Sequence, residues 1–398
     1  MPMNTRPATS TTLREINLRA VFDVIRAGAP ISRAEVARRT GISKPTVSAL
    51  LQDLLDMGLV VQTVRAELGP TYGALFFAPR PEAAYVLALD LGARRLRAVL
   101  ADLAGEVRLR RDAEVAGVDA PGMVRAAAGL ADELAAAAGI GRAELQYAVV
   151  GLPGVVDRRA GRVWQAANIP ALDGFPVRRA FEEALELPVT AENDIHLAAL
   201  GEQWRGVGRD TSDFCFLSVG TGVGAGLVLG GKLHRGFAGA AGELDLAFAT
   251  EPGRGFHPDD PCAPALLLHA AGRLPAAESA GLTPERLFAR ARAGDPAALA
   301  VVDEEARRIA AYAVPVASVV DVELVVLGGG LGLNGDLLLD RVAGRLAGRL
   351  PYPPRVEVSA LGDAAVLTGA VAVGVREALE RILSRRFDAP GHRRPAVR

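Results

Sequence analysis

Four polar side chains lie on short connections between predicted elements, where they could hydrogen-bond a ligand rich in hydroxyl groups. They are Asn168, Asn193, Asp194 and Glu243. Amide and carboxylate oxygens accept hydrogen bonds and amide nitrogens donate them, so these residue types suit hydroxyl groups that do both. An aspartate within hydrogen-bond reach of a hydroxyl group can also take its proton.

Each of the four also has a purely structural interpretation. Asn193 and Asp194 follow a predicted strand and open a predicted helix, so either could cap that helix. Asn168 precedes Pro170 and could form an Asx-type turn. Glu243 could be a solvated acid on a loop. The residues by themselves leave both interpretations open.

A second polar set lies near the N-terminus of the chain. Lys44, Thr46, Ser48 and Gln52 lie off the apolar stripe of a predicted helix, and all can hydrogen-bond a phosphate group or a base edge. The first 80 residues hold ten basic and six acidic side chains, whereas the rest of the chain carries a net charge of −5. A basic head on an acidic body is a mild indication of nucleic-acid binding.

The helices that position this set form a predicted helix-turn-helix. An apolar stripe from Leu13 to Ile25 predicts a first helix. Ser32 and Glu35 form a capping-box pattern before a short helix that ends at Gly41. Ser43 can cap the next helix, and residues 59–65 and 74–78 predict two strands of a wing. The alternative is a three-helix interaction module with a solvated polar face.

The remainder of the chain alternates strands, glycine-rich turns and helices, which is typical of an α/β fold. The whole chain has 398 residues, a net charge of −1 and two cysteines, so a disulfide framework is excluded. It contains no long apolar run and no signal-peptide pattern at its start. We therefore expect a cytoplasmic protein that does not contact a membrane.

Six short motifs follow one another along the body: Asp90-x-Gly92, Gly151-Leu-Pro-Gly154, Glu192-Asn-Asp194, Gly220-Thr-Gly-Val-Gly224, Gly239-Ala-Ala-Gly-Glu243 and Gly328-Gly-Gly330. Together they resemble the ROK family of repressors, open reading frames and sugar kinases. The resemblance covers about residues 12–385 and implies an α/β fold in which an actin-like, ribonuclease H-type body of two lobes follows a winged helix-turn-helix. The N-terminal head is what the repressor branch carries and the kinases lack.

The resemblance also assigns candidate roles to individual residues. It implies that Asn168, Asn193, Asp194 and Glu243 bind a sugar, with Asp194 in the position of the kinases' general base. Gly154 is expected to line the same cleft through its backbone. His196 stands where relatives often have Asn and is a candidate for a further sugar contact; the alternative is a histidine on a helix surface.

Two departures from the family pattern argue against catalysis and cofactors. Ala93 and Arg94 replace the Gly and Thr that follow Asp-x-Gly in the kinases, so we expect no ATP binding. The family's zinc motif, Gly-Glu-x-Gly-His with a following Cys-rich run, has Asp245 and Leu246 in place of its Gly and His. Because only Cys262 remains downstream, we expect no bound metal. Because we expect no ATP binding, we also expect no catalytic residue.

We therefore predict a DNA-binding transcriptional repressor of carbohydrate-metabolism genes, controlled by a sugar or sugar derivative between the lobes. The alternatives are an active sugar kinase with a DNA-binding head, or a DNA-binding protein whose sensor no longer binds an effector. A homodimer or homotetramer is expected, because a two-fold protein suits a palindromic operator. The predicted DNA contacts are Arg33, Ser43, Lys44, Thr46, Ser48, Gln52 and Arg65.

The predicted domains follow from the same motifs. Residues 1–11 are a flexible N-terminus, and 12–80 form the winged helix-turn-helix. The first lobe comprises 83–190 and 360–385, and the second comprises 191–359. Residues 386–398 are a disordered tail. Helical patterns at 301–319 and 363–384 are expected to pack on the lobes, the second of them on the first lobe.

Overall fold

The computed structural model describes residues 10–63, 75–166, 168–248 and 256–388. Its N-terminal head consists, in chain order, of α1 (Ser10–Gly28), β1 (Ile31–Ser32), α2 (Arg33–Thr40), α3 (Lys44–Asp56), β2 (Val60–Thr63) and β3 (Phe76–Pro79). The three strands form an antiparallel sheet in the order β1-β3-β2. Three helices on a small sheet are the predicted winged helix-turn-helix; the wing tip, including Arg65, lies outside the described residues.

Local sequence signals explain how α2 and α3 begin and end. The Ser32 side chain accepts a hydrogen bond from the backbone of Glu35 at 3.3 Å, and Gly41 ends α2 in the left-handed conformation at φ 71°. Ser43 caps α3 by accepting from the backbone of Thr46. The predicted capping box is only half formed, because the Glu35 carboxylate binds Arg38 and Arg39 instead of turning back.

The first lobe is built on a five-stranded sheet. Its elements, in chain order, are β4 (Tyr85–Leu91), β5 (Arg95–Asp102), β6 (Val107–Glu114), α4 (Ala120–Ala138), β7 (Leu145–Leu152), β8 (Val155–Asp157), β9 (Arg162–Trp164), α5 (Val177–Leu185), β10 (Val189–Asn193) and α6 (Asp194–Arg205). The strand order is β10-β7-β4-β5-β6, with β10, β7 and β4 parallel and the other two antiparallel.

The second lobe repeats this topology. Its elements are β11 (Phe214–Val219), β12 (Val223–Leu229), β13 (Lys232–His234), α7 (Asp245–Phe248), α8 (Ala263–Ala271), α9 (Ala276–Ser279), α10 (Pro284–Arg292), α11 (Pro296–Val320), β14 (Leu324–Gly328), α12 (Gly329–Gly332), α13 (Gly335–Ala347) and β15 (Arg355–Val358). The last helix, α14 (Ala365–Asp388), follows them in the chain but belongs to the core of the first lobe. The sheet order is β13-β12-β11-β14-β15, with two antiparallel pairings followed by two parallel ones, the same series as in the first lobe read from β6 to β10. Two copies of one sheet topology confirm the actin-like fold class.

Element boundaries differ from the predicted ones at three places. The helix α1 begins at Ser10, inside the segment predicted to be flexible. The strand β10 continues the first-lobe sheet to Asn193, beyond the boundary expected at residue 190, because its pairing with β7 extends to Leu152. The helix α14 continues to Asp388, past the predicted start of the tail.

The long helix α14 returns to the first lobe and packs against α6 with the two backbones touching. A Cβ atom added at Gly369 would lie 1.8 Å from the Leu197 carbonyl oxygen, and one added at Gly201 would lie 2.3 Å from that of Ala365. No other residue type fits such an approach without moving a helix. The two helices therefore behave as one rigid unit.

The head packs on this unit. Buried side chains of α1 and of α14 belong to one continuous hydrophobic core, which includes Phe22 and Leu379. At its edge, Arg19 of α1 makes an ion pair with Glu380 of α14 at 2.5 Å. The head is thus attached to the first lobe. Within the described ranges, no helix is long and apolar enough to cross a membrane.

One carboxyl group in the second-lobe core predicts a pH-dependent stability. Glu305 of α11 is fully buried, and neither of its oxygens has a hydrogen-bond partner among the described residues. Burial raises the pKa of Glu305 to about 8, although nearby Arg308 opposes the change. The protonated form is therefore favoured in the folded state. The stability it confers is complete below the unfolded pKa of about 4.5 and is lost as the pH rises through 8.

Between pH 5 and pH 8.5, we expect the free energy of unfolding to fall by roughly 3 kcal/mol more in the parent protein than in Glu305→Gln. Urea unfolding at the two pH values measures this difference. Glu323→Gln, which changes an exposed acid of the same lobe, is the matched control and should keep the pH dependence of the parent protein. Equal pH dependence in the parent protein and Glu305→Gln would contradict the prediction.

Candidate functional site

A cavity of about 710 Å³ separates the two lobes at the carboxyl ends of their central strands. On the first lobe it begins after β7 and β10, at Gly154 and Asn193. On the second lobe it begins after β11 and β14, at Gly220 and Gly329. Ligands of open α/β sheets bind at this edge, where successive connections diverge to opposite faces.

The structure brings five of the six sequence-predicted sugar-site residues to this one cavity. They are Gly154, Asn168, Asn193, Asp194 and Glu243. Asn193 also performs its structural role: its side-chain oxygen caps α6 by accepting from the backbone of His196 at 2.9 Å. Its amide nitrogen donates to the Gly154 carbonyl at 3.1 Å. Asn193 can therefore cap α6 and line the ligand cavity from the same position.

Asp194 carries the most perturbed carboxyl group of the cavity. Burial raises its pKa to about 7, and the nearby carboxylates of Asp90 and Glu243 act in the same direction. The backbone N–H of Ile195 donates to it at 2.8 Å and opposes the shift. Burial, and then Asp245, also raise the pKa of Glu243. Near neutral pH, Asp194 can therefore either accept a hydrogen bond from a ligand hydroxyl or donate one to it.

The two glycine turns of the second lobe form the opposite wall. The turn of Gly220 to Gly224 joins antiparallel β11 and β12, with the Gly220 N–H donating to the Gly222 carbonyl at 3.0 Å. It is thus a hairpin turn that also lines the cavity, next to Gly329 and Gly330 of the second turn.

The first turn of the body closes on itself instead of opening toward a phosphate group. The Gly92 N–H donates to the Arg95 carbonyl at 2.9 Å across Ala93 and Arg94. Arg97 of β5 lines the cavity and makes an ion pair with the buried Asp90 at 2.5 Å. Burial raises the pKa of Asp90 despite this guanidinium group. The cationic side chain of Arg97 therefore lies next to the aspartate of the Asp90-x-Gly92 motif.

The sixth predicted residue, His196, does not line the cavity, and the prediction of a direct sugar contact is wrong. It is 2% exposed, so the alternative of a surface histidine is wrong too. Its imidazole ring points beneath the site, toward the Glu192 carboxylate and the Ala241 carbonyl. The sequence placed His196 on a helix but could not show that a loop of the second lobe covers that face.

Seven further polar residues of the cavity wall were not predicted from the sequence. They are Arg97, Gln165, Ser218, Asp245, Glu285, Arg292 and Asn334. A weak signal existed for Arg97, which interrupts an otherwise apolar buried strand. Gln165 lies in the same connection as Asn168. Ser218 lies two residues before the turn of Gly220. Asp245 lies two residues after Glu243. Glu285 and Arg292 of α10 and Asn334, just before α13, follow no motif, since only the folding of the second lobe brings them to the cavity.

The residues at the position of the family's zinc motif do not fit a zinc ion. Leu246 has no donor atom where the motif has a histidine. Cys262 is buried, and that burial raises the pKa of its thiol to about 11. His257 and His269 are the histidines nearest to Cys262 in the sequence, but they form no metal site with it. Within the described part of the chain, no three metal-ligating side chains come together.

The helix α3 presents the second predicted set on the surface of the head. Ser43, Lys44, Thr46 and Gln52 are exposed, and Ser48 is partly exposed. Arg33 of α2 is also exposed and donates to the Ser48 hydroxyl at 3.1 Å. Gln52 donates to Asp56 at 2.8 Å. The side chains at the N-terminal end of α3 are thus free of the core and lie together, as a helix entering a DNA groove requires.

Comparison with known proteins decides the family. A model described as "ROK family" matches residues 86–377, and one described as "MarR family" matches residues 19–67. The chain belongs to the ROK family. With a MarR-type winged helix ahead of its ROK body, it is a DNA-binding transcriptional regulator.

Individual relatives agree with this assignment. A xylose repressor of Caldicellulosiruptor bescii is 26% identical, with 93% of this chain and 98% of that protein covered. The crystal structure of a ROK family transcriptional regulator, a homologue of the E. coli Mlc protein, shares the fold with a TM-score of 0.78 at 23% identity. It covers 94% of this chain and 98% of that one. An N-acetylmannosamine kinase of Escherichia coli O127:H6 is 31% identical, covering 62% of this chain and 83% of the kinase.

Lys44 offers a direct test of the DNA-binding face of this ROK regulator. We expect Lys44→Ala to weaken DNA binding about equally for different sequences and to reduce the slope of log affinity against log salt by about 1, because one phosphate contact is lost. Fluorescence anisotropy over a salt series measures the slope. Lys232→Ala is a matched control, since Lys232 is also exposed but lies on the second lobe. An unchanged slope for Lys44→Ala would place the groove contact elsewhere.

Proposed function

We propose that the protein is a repressor of carbohydrate-metabolism genes whose operator binding is controlled by a sugar held between the two ROK lobes. The observation that carries this proposal is the convergence of Asn168, Asn193, Asp194 and Glu243 on one cavity, in a chain that also has a DNA-binding head. The name of the C. bescii relative, a xylose repressor, supports a free sugar as the effector class.

The helix α6 provides a physical connection from this cavity to the head. Its first residues, Asp194 and Ile195, line the effector cavity. Its last turns place Gln203 and Trp204 beside α1, around a smaller cavity of about 330 Å³. A sugar that binds one lobe arrangement more tightly shifts the population toward it. Because α6 and α14 move as one unit, that shift reorients the attached head.

We further propose that the protein transfers no phosphoryl group and holds neither ATP nor zinc. The closed turn at Ala93 and Arg94 supports the absence of ATP, because its Gly92 N–H is already bonded to the Arg95 carbonyl and Arg97 pairs with Asp90 beside it. The absence of zinc is supported by Leu246, which has no donor atom at the position of the motif's histidine. A homodimer in the cytoplasm follows from the same function, since a two-fold protein matches a palindromic operator.

Calorimetric titration with D-xylose, D-glucose, N-acetylmannosamine and their phosphorylated forms tests the proposal, together with an ATP-dependent turnover assay on each sugar. We expect one sugar to bind and no sugar to be phosphorylated. Turnover of any sugar would show a kinase with a DNA-binding head. Absence of binding across the panel would favour a regulator that uses its lobes only to dimerise.

A further inference from the structure

A buried histidine connects the two lobes directly beneath the effector cavity. The Nδ1 atom of His196 lies 3.2 Å from Oε1 of Glu192, and its Nε2 atom lies 3.0 Å from the carbonyl oxygen of Ala241. Glu192 is the penultimate residue of β10 in the first-lobe sheet, whereas Ala241 belongs to the loop that follows β13 in the second lobe. Both histidine and glutamate are 2% exposed, so water does not compete for these contacts.

The chemistry of the two contacts fixes the protonation state of His196. A carbonyl oxygen and an ionised carboxylate can only accept hydrogen bonds, so both ring nitrogens must donate. A neutral imidazole has one N–H and can make only one of these bonds; the imidazolium ion makes both. The second oxygen of Glu192 accepts from Nε of Arg235 at 2.6 Å, which keeps the glutamate ionised between two cations.

The loop held in this way carries a wall of the effector cavity. Glu243 lines that cavity and lies two residues after Ala241. Between them, the Gly242 carbonyl accepts from the Ala225 N–H at 2.8 Å. Gly242 has a φ of +97°, and a Cβ atom there would lie 1.8 Å from the Ala225 oxygen. The loop is thus fastened to its own lobe at Gly242 and to the other lobe at Ala241 and Arg235.

We propose that His196 is a positioning residue that acts as a proton-dependent latch. As an imidazolium ion it donates to both Glu192 and Ala241 and so holds the loop of Glu243 across the lobes; as a neutral ring that donates to the ionised Glu192 it gives up the bond to Ala241, which loosens the loop although Arg235 still holds it. The latch itself does not depend on the proposed function; only its consequence rests on that function. Because the loop carries Glu243, its loosening should make effector affinity fall as the pH rises.

The surrounding charges agree with the latch. Burial lowers the pKa of His196, but the hydrogen bond and the charge of Glu192 outweigh burial, and the net shift is upward from the ordinary value of 6.5. Arg235, on the facing loop, opposes this rise, whereas the charges of Asp194 and Glu243 favour the protonated ring. The latch is therefore complete below about pH 6.5 and opens as the pH rises from there through the raised pKa.

Two measurements on the full chain test the latch without any sugar. In NMR of histidine-labelled protein, the His196 signal, assigned by its loss in His196→Asn, should titrate above pH 6.5. Hydrogen exchange of the backbone amides of residues 239–246 reports the opening of the loop once the rates are corrected for intrinsic exchange. Above pH 6.5, the equilibrium constant for opening should rise by up to about tenfold per pH unit. In His196→Asn, opening should be faster at pH 6 and independent of pH. His234→Asn changes an exposed histidine on the second lobe, which also carries the loop; it is the control and should match the parent protein.

A His196 signal that titrates at or below 6.5 would overturn the proposal, as would loop opening that is independent of pH in the parent protein. Glu192→Gln provides a second variant: removing the carboxylate charge should bring the His196 pKa back toward its ordinary value. An unchanged pKa in that variant would also contradict the latch. Failure of sugar binding would leave both measurements interpretable, so the latch and the proposed function can fail separately.

Discussion

Replacing Asp194 with Asn is expected to remove most of the sugar response of DNA binding at sugar concentrations near the Kd of the parent protein, while leaving operator affinity without sugar unchanged. The substitution preserves the shape of the side chain and removes its ability to ionise. A hydrogen bond to a charged group contributes about 1.5–3 kcal/mol, so sugar affinity should fall by roughly 10- to 150-fold. Calorimetry gives the affinity for sugar, and anisotropy gives the affinity for DNA.

The control for this substitution is Asp210→Asn, which changes an exposed acid on the loop after α6. It should bind sugar and DNA like the parent protein. Since burial raises the pKa of Asp194 to about 7, its contribution to sugar affinity should grow as the pH rises through 7 and the carboxylate forms. Asp194→Asn should lose this increase and keep only the decrease that the His196 latch causes. A full sugar response in Asp194→Asn would place the effector outside the cavity described above.

Replacing Gly369 with Ala is expected to have the largest effect on stability. The new Cβ atom would lie 1.8 Å from the Leu197 carbonyl oxygen, between two helix backbones that cannot rotate away. Overpacking a core by one methyl group costs about 1–3 kcal/mol where side chains can yield, and backbone contact leaves less room to yield. We expect a loss of about 3 kcal/mol or more in the free energy of unfolding, measured by urea denaturation.

Gly129→Ala is the matched control, because Gly129 lies inside a helix of the same lobe with no atom within 4 Å of the added Cβ. Removing a helical glycine there should stabilise the protein by about 0.5–1 kcal/mol. If Gly369→Ala were as stable as the parent protein, α6 and α14 could not be in backbone contact. The proposed route from cavity to head would then lose its rigid element.

Local signals made much of the head and the body predictable from sequence. Ser43 and Gly41 fixed the ends of the helix-turn-helix, because caps and left-handed glycines act within a few residues. The order of the glycine and acidic motifs indicated the two-lobed fold, and Asn193 with Asp194 indicated its cleft. These features depend on short stretches of chain.

Contacts between distant segments could not be predicted in the same way. His196 lies beneath the cavity because a loop 45 residues further along covers its helix face. The Glu35 side chain binds two arginines of its own helix, a competition that the capping-box pattern does not contain. Arg97 and Asp90 face each other only because β4 and β5 pair in one register.

Fluorescence anisotropy with the DNA upstream of the protein's own gene tests the central claim most directly. The ionic strength must be fixed, since phosphate contacts make affinity steeply dependent on salt. Binding curves would be recorded with and without D-xylose, D-glucose and N-acetylmannosamine, for the parent protein and Asp194→Asn. We predict that one sugar shifts the curve of the parent protein and leaves that of Asp194→Asn in place. Specific DNA binding that no sugar alters, or that the same sugar alters equally in both proteins, would contradict control through the interlobe cavity.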